Sequence, residues 1–133
     1  MTLPKKKLRE AVFLCLFSLD SGMDNPDALI EIVMSELKMT RKNVYEAYAM
    51  AKLVAEHKDE LDAKITAAST AYEFERIPAV ERNVLRLALY EMKELPGPVA
   101  ISEGLRLARK FATAQSGSFV NAILDNLLKN GNS

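Results

Sequence analysis

Apolar residues in this chain recur at spacings of three and four almost from end to end, and no stretch of useful length alternates apolar with polar. A period near 3.6 commits a segment to an amphipathic helix, whereas a period of two commits it to a strand. The core must therefore be built from helices. A chain of 133 residues, 49% of them hydrophobic, is long enough to bury one, and 27% charged residues argue against disorder.

Punctuation cuts the pattern into segments. The first has Pro4 near its start and runs to about Asp20. Its centre, Ala11 to Phe17, is apolar on every side, and most of it is expected to be buried. Ser21-Gly22 ends it. Asn25-Pro26 offers an N-cap followed by proline at the first helical position. The helix it opens places Ala28, Leu29, Ile32, Val33 and Leu37 on one face. Thr40 caps a third helix with the stripe Val44, Ala47, Tyr48, Ala51, Val54 and Ala55. A pause near Lys58 precedes a further run from Leu61 to Ala71. Pro78 opens the next helix, which carries Val80, Val84, Leu85, Leu87, Ala88, Leu89 and Met92. Pro96-Gly97-Pro98 is a stop, Val99 to Phe111 is short and amphipathic, and Ser116-Gly117-Ser118 supplies caps for a last helix. The expectation is one all-α domain over residues 1–130, with about six or seven helices and a loose tail at 131–133.

The composition excludes several chemistries. One cysteine, Cys15, makes an internal disulfide impossible and fits a reducing compartment. It lies in the most apolar run, where a thiol is inert. One histidine, His57, in the charged stretch EHKDE, reads as a solvated residue and cannot make a typical zinc site. The pairs Glu73/Glu75 and Glu60/Asp62 stand two apart and do not share a helix face, so they are poor acid/base partners. No phosphate-loop, dinucleotide or nucleophile-elbow pattern occurs. Neither an enzyme nor a cofactor is expected. The longest apolar run has seven residues, against about 20 for a membrane span, and no signal-peptide cleavage pattern follows it.

Binding chemistry is better supported. The net charge is zero, yet Lys5, Lys6, Lys7 and Arg9 open the chain against one acid, Glu10. Cations at a helix N-terminus oppose the macrodipole, and phosphate contact gives them a reason to be there. The bland alternative is a solubilising end. Arg82 and Arg86 lie one turn apart, with Tyr90 one turn further, as either a solvated face or a guanidinium platform for phosphate or base. Arg106, Arg109 and Lys110 read as the wet side of an amphipathic helix. Gln115-Ser116-Gly117-Ser118-Phe119 places small residues at a helix start, where backbone N–H groups make an anion site plausible. Phe119 is balanced between stacking on a base and joining the core.

Four stretches carry a family resemblance: KKKLREAVFLCLFSLD, VERNVLRLALYEM, VAISEGLRLARKFA and SGSFVNAILD. In this order and spacing they resemble the NusB family of transcription antitermination factors, over roughly the first 20 and last 55 residues. The resemblance implies two small helical bundles packed together. It also implies binding of single-stranded boxA RNA from ribosomal RNA leaders, jointly with the ribosomal protein NusE, and entry into the RNA polymerase elongation complex with other Nus factors, in the cytoplasm. Carried over, Lys5, Lys6, Lys7 and Arg9 meet the RNA backbone, and Gln115, Ser116 and Phe119 meet RNA from the last loop and helix. Phe17 stands at an RNA and partner surface, and Glu75, Glu81 and Arg86 stand at positions of RNA or NusE contact. The chain departs from the family pattern in its lysine-rich opening, in Phe17 without a hydroxyl, and at Ser102, Gln115, Ser118 and Ala122. These departures imply weaker RNA binding alone and greater reliance on NusE. Two rivals stand beside this. An RNA-binding front of an RNA methyltransferase would need a large cofactor domain after Ser133, and a helical protein–protein adaptor would use the lysines for solubility alone.

Overall fold

The structure, a computed structural model, describes residues 5–70 and 72–130. The side chain of Lys5 and the expected tail at 131–133 lie outside the described residues, as do Pro4 and Ala71. Among the described residues there are seven α-helices and no strand: α1 (Lys5–Asp20), α2 (Pro26–Leu37), α3 (Arg41–Glu56), α4 (Lys58–Ala68), α5 (Ala79–Glu91), α6 (Gly97–Phe111) and α7 (Ala114–Lys129). A 3-10 turn, Phe74–Arg76, stands between α4 and α5. The helices fall into two compact units, divided between Glu56 and His57.

In the first unit α1 packs along α3, and α2 contacts both. Ala11, Val12, Phe13, Cys15 and Leu16 are buried, while Leu14 and Phe17 of the same run are half-buried. Val44, Ala47, Ala51 and Val54 form the fully buried stripe of α3. Their small side chains keep that face shallow, so the larger side chains of α1 can seat into it. Asn25 caps α2 by accepting from the Ala28 N–H at 3.1 Å, with Pro26 at the first helical position. Thr40 caps α3 by accepting from the Asn43 N–H at 3.2 Å. One expectation is corrected: α2 buries Leu29, Ile30 and Val33, and Ile32 is 50% exposed.

In the second unit α6 and α7 form a hairpin, with α5 against both and α4 against α5 and α7. Val84, Leu85, Leu87, Ala88 and Leu89 of α5 are all buried, so this helix is enclosed on most of its circumference. Gly104 lets three helices converge. A Cβ there would stand 3.1 Å from Leu124 Cδ1 and 3.3 Å from Ala88 Cβ. Asn126 of α7 donates to the Ala68 carbonyl at 3.0 Å, satisfying a group at the end of α4 that the helix itself leaves open.

Several boundaries move. The helical pause falls at His57, and α4 ends at Ala68. Pro96-Gly97-Pro98 does not lie wholly outside a helix, since Pro96 precedes α6 and Gly97 and Pro98 are its first two residues. Lys129 closes α7 and pairs with Asp125 at 2.9 Å.

Candidate nucleic-acid interface

The second unit holds a cleft of about 290 Å³. It is built from three short stretches of chain: Tyr72 and Arg76 to Pro78, then Glu81 at the start of α5, then Thr113 to Phe119 at the start of α7. Each wall has a local cause. Ile77 is buried and anchors the segment after the 3-10 turn, and the Ile77 carbonyl accepts from Arg82 Nη1 at 3.2 Å. The Tyr72 carbonyl accepts from Ser69 Oγ at 2.9 Å, which ties the segment back to the end of α4.

The third wall is the N-terminus of α7, and it begins earlier than the serines suggest. Thr113 is the cap, accepting from the Ser116 N–H at 3.0 Å. Ser116 and Gly117 are therefore buried in the first turn and are not the cap themselves. Gly117 packs against Arg109 of α6, whose Cγ would stand 3.0 Å from a Cβ at position 117. The Ser116 hydroxyl lies 3.1 Å from Thr113 Oγ1 and donates to Glu81 Oε2 at 3.3 Å, linking α7 to α5.

Aromatic and charged groups face one another across this cleft. The Tyr72 and Phe119 rings meet edge to face, with centroids 5.5 Å apart and planes at 70°. This is a favoured aromatic geometry. Tyr72 is 54% exposed, and Phe119 is half-buried, so the contest over Phe119 resolves as a wall shared by core and solvent. Among the described residues Arg76 meets an acid only at Glu73, 4.0 Å away, with both side chains exposed.

Behind the cleft lies a buried charge cluster. Arg86 is 5% exposed. Its Nε and Nη2 donate to Asp62 Oδ1 and Oδ2 at 2.7 and 2.8 Å, and its Nη1 donates to Asn83 Oδ1 at 3.0 Å. The guanidinium also stands over the Phe74 ring, 5.6 Å from its centroid. Arg82 and Arg86 are thus neither a solvated face nor an open platform, because their guanidinium groups hold the chain between α4 and α5. Burial alone raises the Cys15 thiol from about 9 to about 12, leaving it no nucleophile near neutral pH. His57 is half-buried, its ring 5.4 Å from that of Tyr90. Among the described residues no His, Cys, Asp and Glu group is placed to hold a metal, and no helix is long and apolar enough to cross a membrane.

The NusB family model matches residues 6–129, nearly the whole sequence. The chain belongs to the NusB family. Transcription antitermination protein NusB of Dehalococcoides mccartyi (strain CBDB1) is 33% identical over 132 residues, covering 97% of this chain and 92% of its own. Its counterpart from Anaeromyxobacter sp. (strain Fw109-5) is 35% identical over 130 residues, covering 94% and 90%. Among solved structures, T. maritima NusB has a TM-score of 0.75 at 31% identity, over 97% of this chain and 93% of its own. A chain from the crystal structure of the antitermination factors NusB and NusE in complex with dsRNA has a TM-score of 0.76 at 27% identity, over 95% and 96%.

Of the positions marked by the NusB resemblance, Glu81, Gln115, Ser116 and Phe119 come together in the cleft. Glu75 is exposed on the 3-10 turn. Lys6, Lys7, Arg9 and Phe17 lie on α1 in the other unit, with Lys6 exposed and the other three half-buried. The Phe17 ring lies 6.1 Å from that of Phe13. Sequence reasoning missed Tyr72, Arg76 and Thr113. Thr113 had a signal, a hydroxyl three residues before Ser116 in a small-residue run. Tyr72 and Arg76 had none beyond being an aromatic and a cation in a short non-helical stretch.

Proposed function

We propose that this chain is an RNA-binding transcription antitermination factor. It binds boxA-type single-stranded RNA together with NusE and joins the elongating RNA polymerase with other Nus factors, acting in the cytoplasm and catalysing no reaction. The observation that carries this reading is the cleft. It brings Glu81 of α5 to Gln115, Ser116 and Phe119 of α7, beside the half-exposed Tyr72–Phe119 ring pair and a loosely held guanidinium. Single-stranded RNA is recognised by such parts, since unstacked bases lie on aromatic rings and phosphates meet cations.

The opening basics serve the same end. Lys5, Lys6, Lys7 and Arg9 hold phosphates, the lysines as point charges without forked recognition. Phe17 serves contact with RNA and NusE, and Glu75 contact with RNA or NusE. Arg86 contributes indirectly, by holding the segment that carries Arg76 and Ile77. The relatives support the partners: they are named transcription antitermination proteins, and one similar chain comes from a structure of NusB and NusE with dsRNA.

The test is fluorescence anisotropy of a labelled boxA RNA titrated with the protein, alone and with NusE, with a scrambled RNA as control. The expected result is boxA preference that strengthens with NusE and weakens with salt. Equal weak binding of both RNAs in the presence of NusE overturns the reading and leaves a helical adaptor.

A further inference from the structure

Glu81 is a carboxylate set into the aromatic cleft, and one feature of its surroundings decides what it can recognise. Its Oε2 accepts from the Ser116 hydroxyl, which fixes the side chain, and among the described residues no cation is paired with it. Ser116 is itself 9% exposed and held by the Thr113 cap, so this support is rigid. A carboxylate has about four acceptor sites, and one hydroxyl occupies one of them. The rest can only accept. Phe119 and Tyr72, whose rings meet edge to face, line the same cleft and offer aromatic surface to a π-system.

From this geometry we infer that the cleft takes one unstacked nucleobase and that Glu81 selects it by its amino group. The inference rests on the RNA-binding reading above and adds base identity to it. Cytosine, adenine and guanine each carry an exocyclic amino group that can donate to a carboxylate, and acceptance from the cytosine amino group is a recurrent pairing for Glu. Uracil presents a single imino N–H between two carbonyl oxygens, and a carboxylate repels both. Gln115, exposed at the cleft, and Arg76, with its weak contact to Glu73, are available to the sugar and phosphate of the same nucleotide.

The experiment compares hexacytidylate with hexauridylate, which match in length and charge and are both pyrimidine tracts. Each is titrated by anisotropy into the full chain and into Glu81→Gln. A glutamine amide both donates and accepts, so it serves either base. The wild-type chain is expected to prefer hexacytidylate by about ten-fold or more, the scale of one hydrogen bond to a charged acceptor. Glu81→Gln is expected to bring the two RNAs within about two-fold by strengthening hexauridylate, with an unchanged melting temperature. If the wild-type chain binds both equally, base selection falls while the RNA-binding reading stands. If Glu81→Gln weakens both equally, Glu81 is only a strut for Ser116 and the inference is wrong. If Glu81→Gln weakens NusE binding while leaving the preference between RNAs intact, the carboxylate belongs to the protein partner and the inference is again overturned. If neither RNA binds, in the presence or absence of NusE, both readings fail together.

Discussion

Arg86 of α5 and Asp62 of α4 close a forked ion pair, with Nε–Oδ1 at 2.7 Å and Nη2–Oδ2 at 2.8 Å, and Asn83 takes a further guanidinium N–H. The arginine side chain keeps 6% of its surface and the aspartate 20%. Removing one member of a fully buried pair costs about 3–5 kcal/mol, because the other charge is left uncompensated. Asp62→Asn should cost less, about 2 kcal/mol, because Asp62 stays partly wet and the amide retains one hydrogen bond. Urea unfolding reads this directly. RNA affinity should fall as well, although the change makes the protein more positive, since Arg86 no longer holds Phe74 and the cleft wall after it. Higher affinity in Asp62→Asn would mean that the pair matters only through its charge.

Gly104 allows a second prediction. The position is fully enclosed by Leu124, Ala88 and Val84. Ala88 Cβ cannot rotate away, so a valine at 104 must push helices apart. Gly104→Val should destabilise by about 1–3 kcal/mol or more, the range for overpacking a tight core. Gly22→Ala, by contrast, meets nothing within 4 Å, and its cost comes only from φ of +93°, about 1 kcal/mol. Chemical denaturation of the two variants separates crowding from backbone strain.

The α7 cap is a third point of test. Thr113→Ala removes the acceptor for the Ser116 N–H and the hydroxyl neighbour of Ser116 Oγ. A missing cap costs about 1 kcal/mol. Because Ser116 in turn supports Glu81, RNA binding should weaken by more than the stability loss alone would give at a temperature where the protein is fully folded. Thr113→Ser should restore both. A variant that melts lower yet binds RNA normally would separate the cap from the cleft.

The lysines of α1 carry a fourth. Lys6→Glu with Lys7→Glu should weaken RNA binding regardless of sequence. It should also flatten the dependence of log affinity on log salt by about 0.7 for each phosphate that the variant no longer neutralises. An unchanged slope, measured by anisotropy from low to moderate salt, would assign these residues to solubility.

The helices were largely legible because their evidence is local. Asn25-Pro26 and Thr40 announce two starts by capping chemistry, and the stripe of α3 is buried along Val44, Ala47, Ala51 and Val54. Where the pattern failed, the deciding neighbour was distant. In α2 apolar residues lie on more than one face, so the choice of Ile30 over Ile32 for the core depends on where α1 and α3 lie. Arg86 looked like a surface residue because its partner, Asp62, stands 24 positions earlier on another helix.

The cleft was half legible. Glu81, Gln115, Ser116 and Phe119 were named through family resemblance, and folding brings them to one place. Tyr72 and Arg76 were invisible because they lie in a segment whose path is set by Ile77 burial and by the Arg82 and Arg86 contacts. The serines of the last helix misled because several hydroxyl residues compete for one cap, and Thr113, outside the apolar pattern, takes it.

Cys15 has a use beyond packing. It is the only thiol in the chain, it has no exposed surface, and it belongs to the first unit alone. A reagent that alkylates cysteine can reach it only when the packing around it opens. The molecule thus carries its own clock, with one tick for each opening of α1 from its neighbours. Running that clock with and without RNA would count how firmly the lysine-bearing helix is held when its ligand arrives.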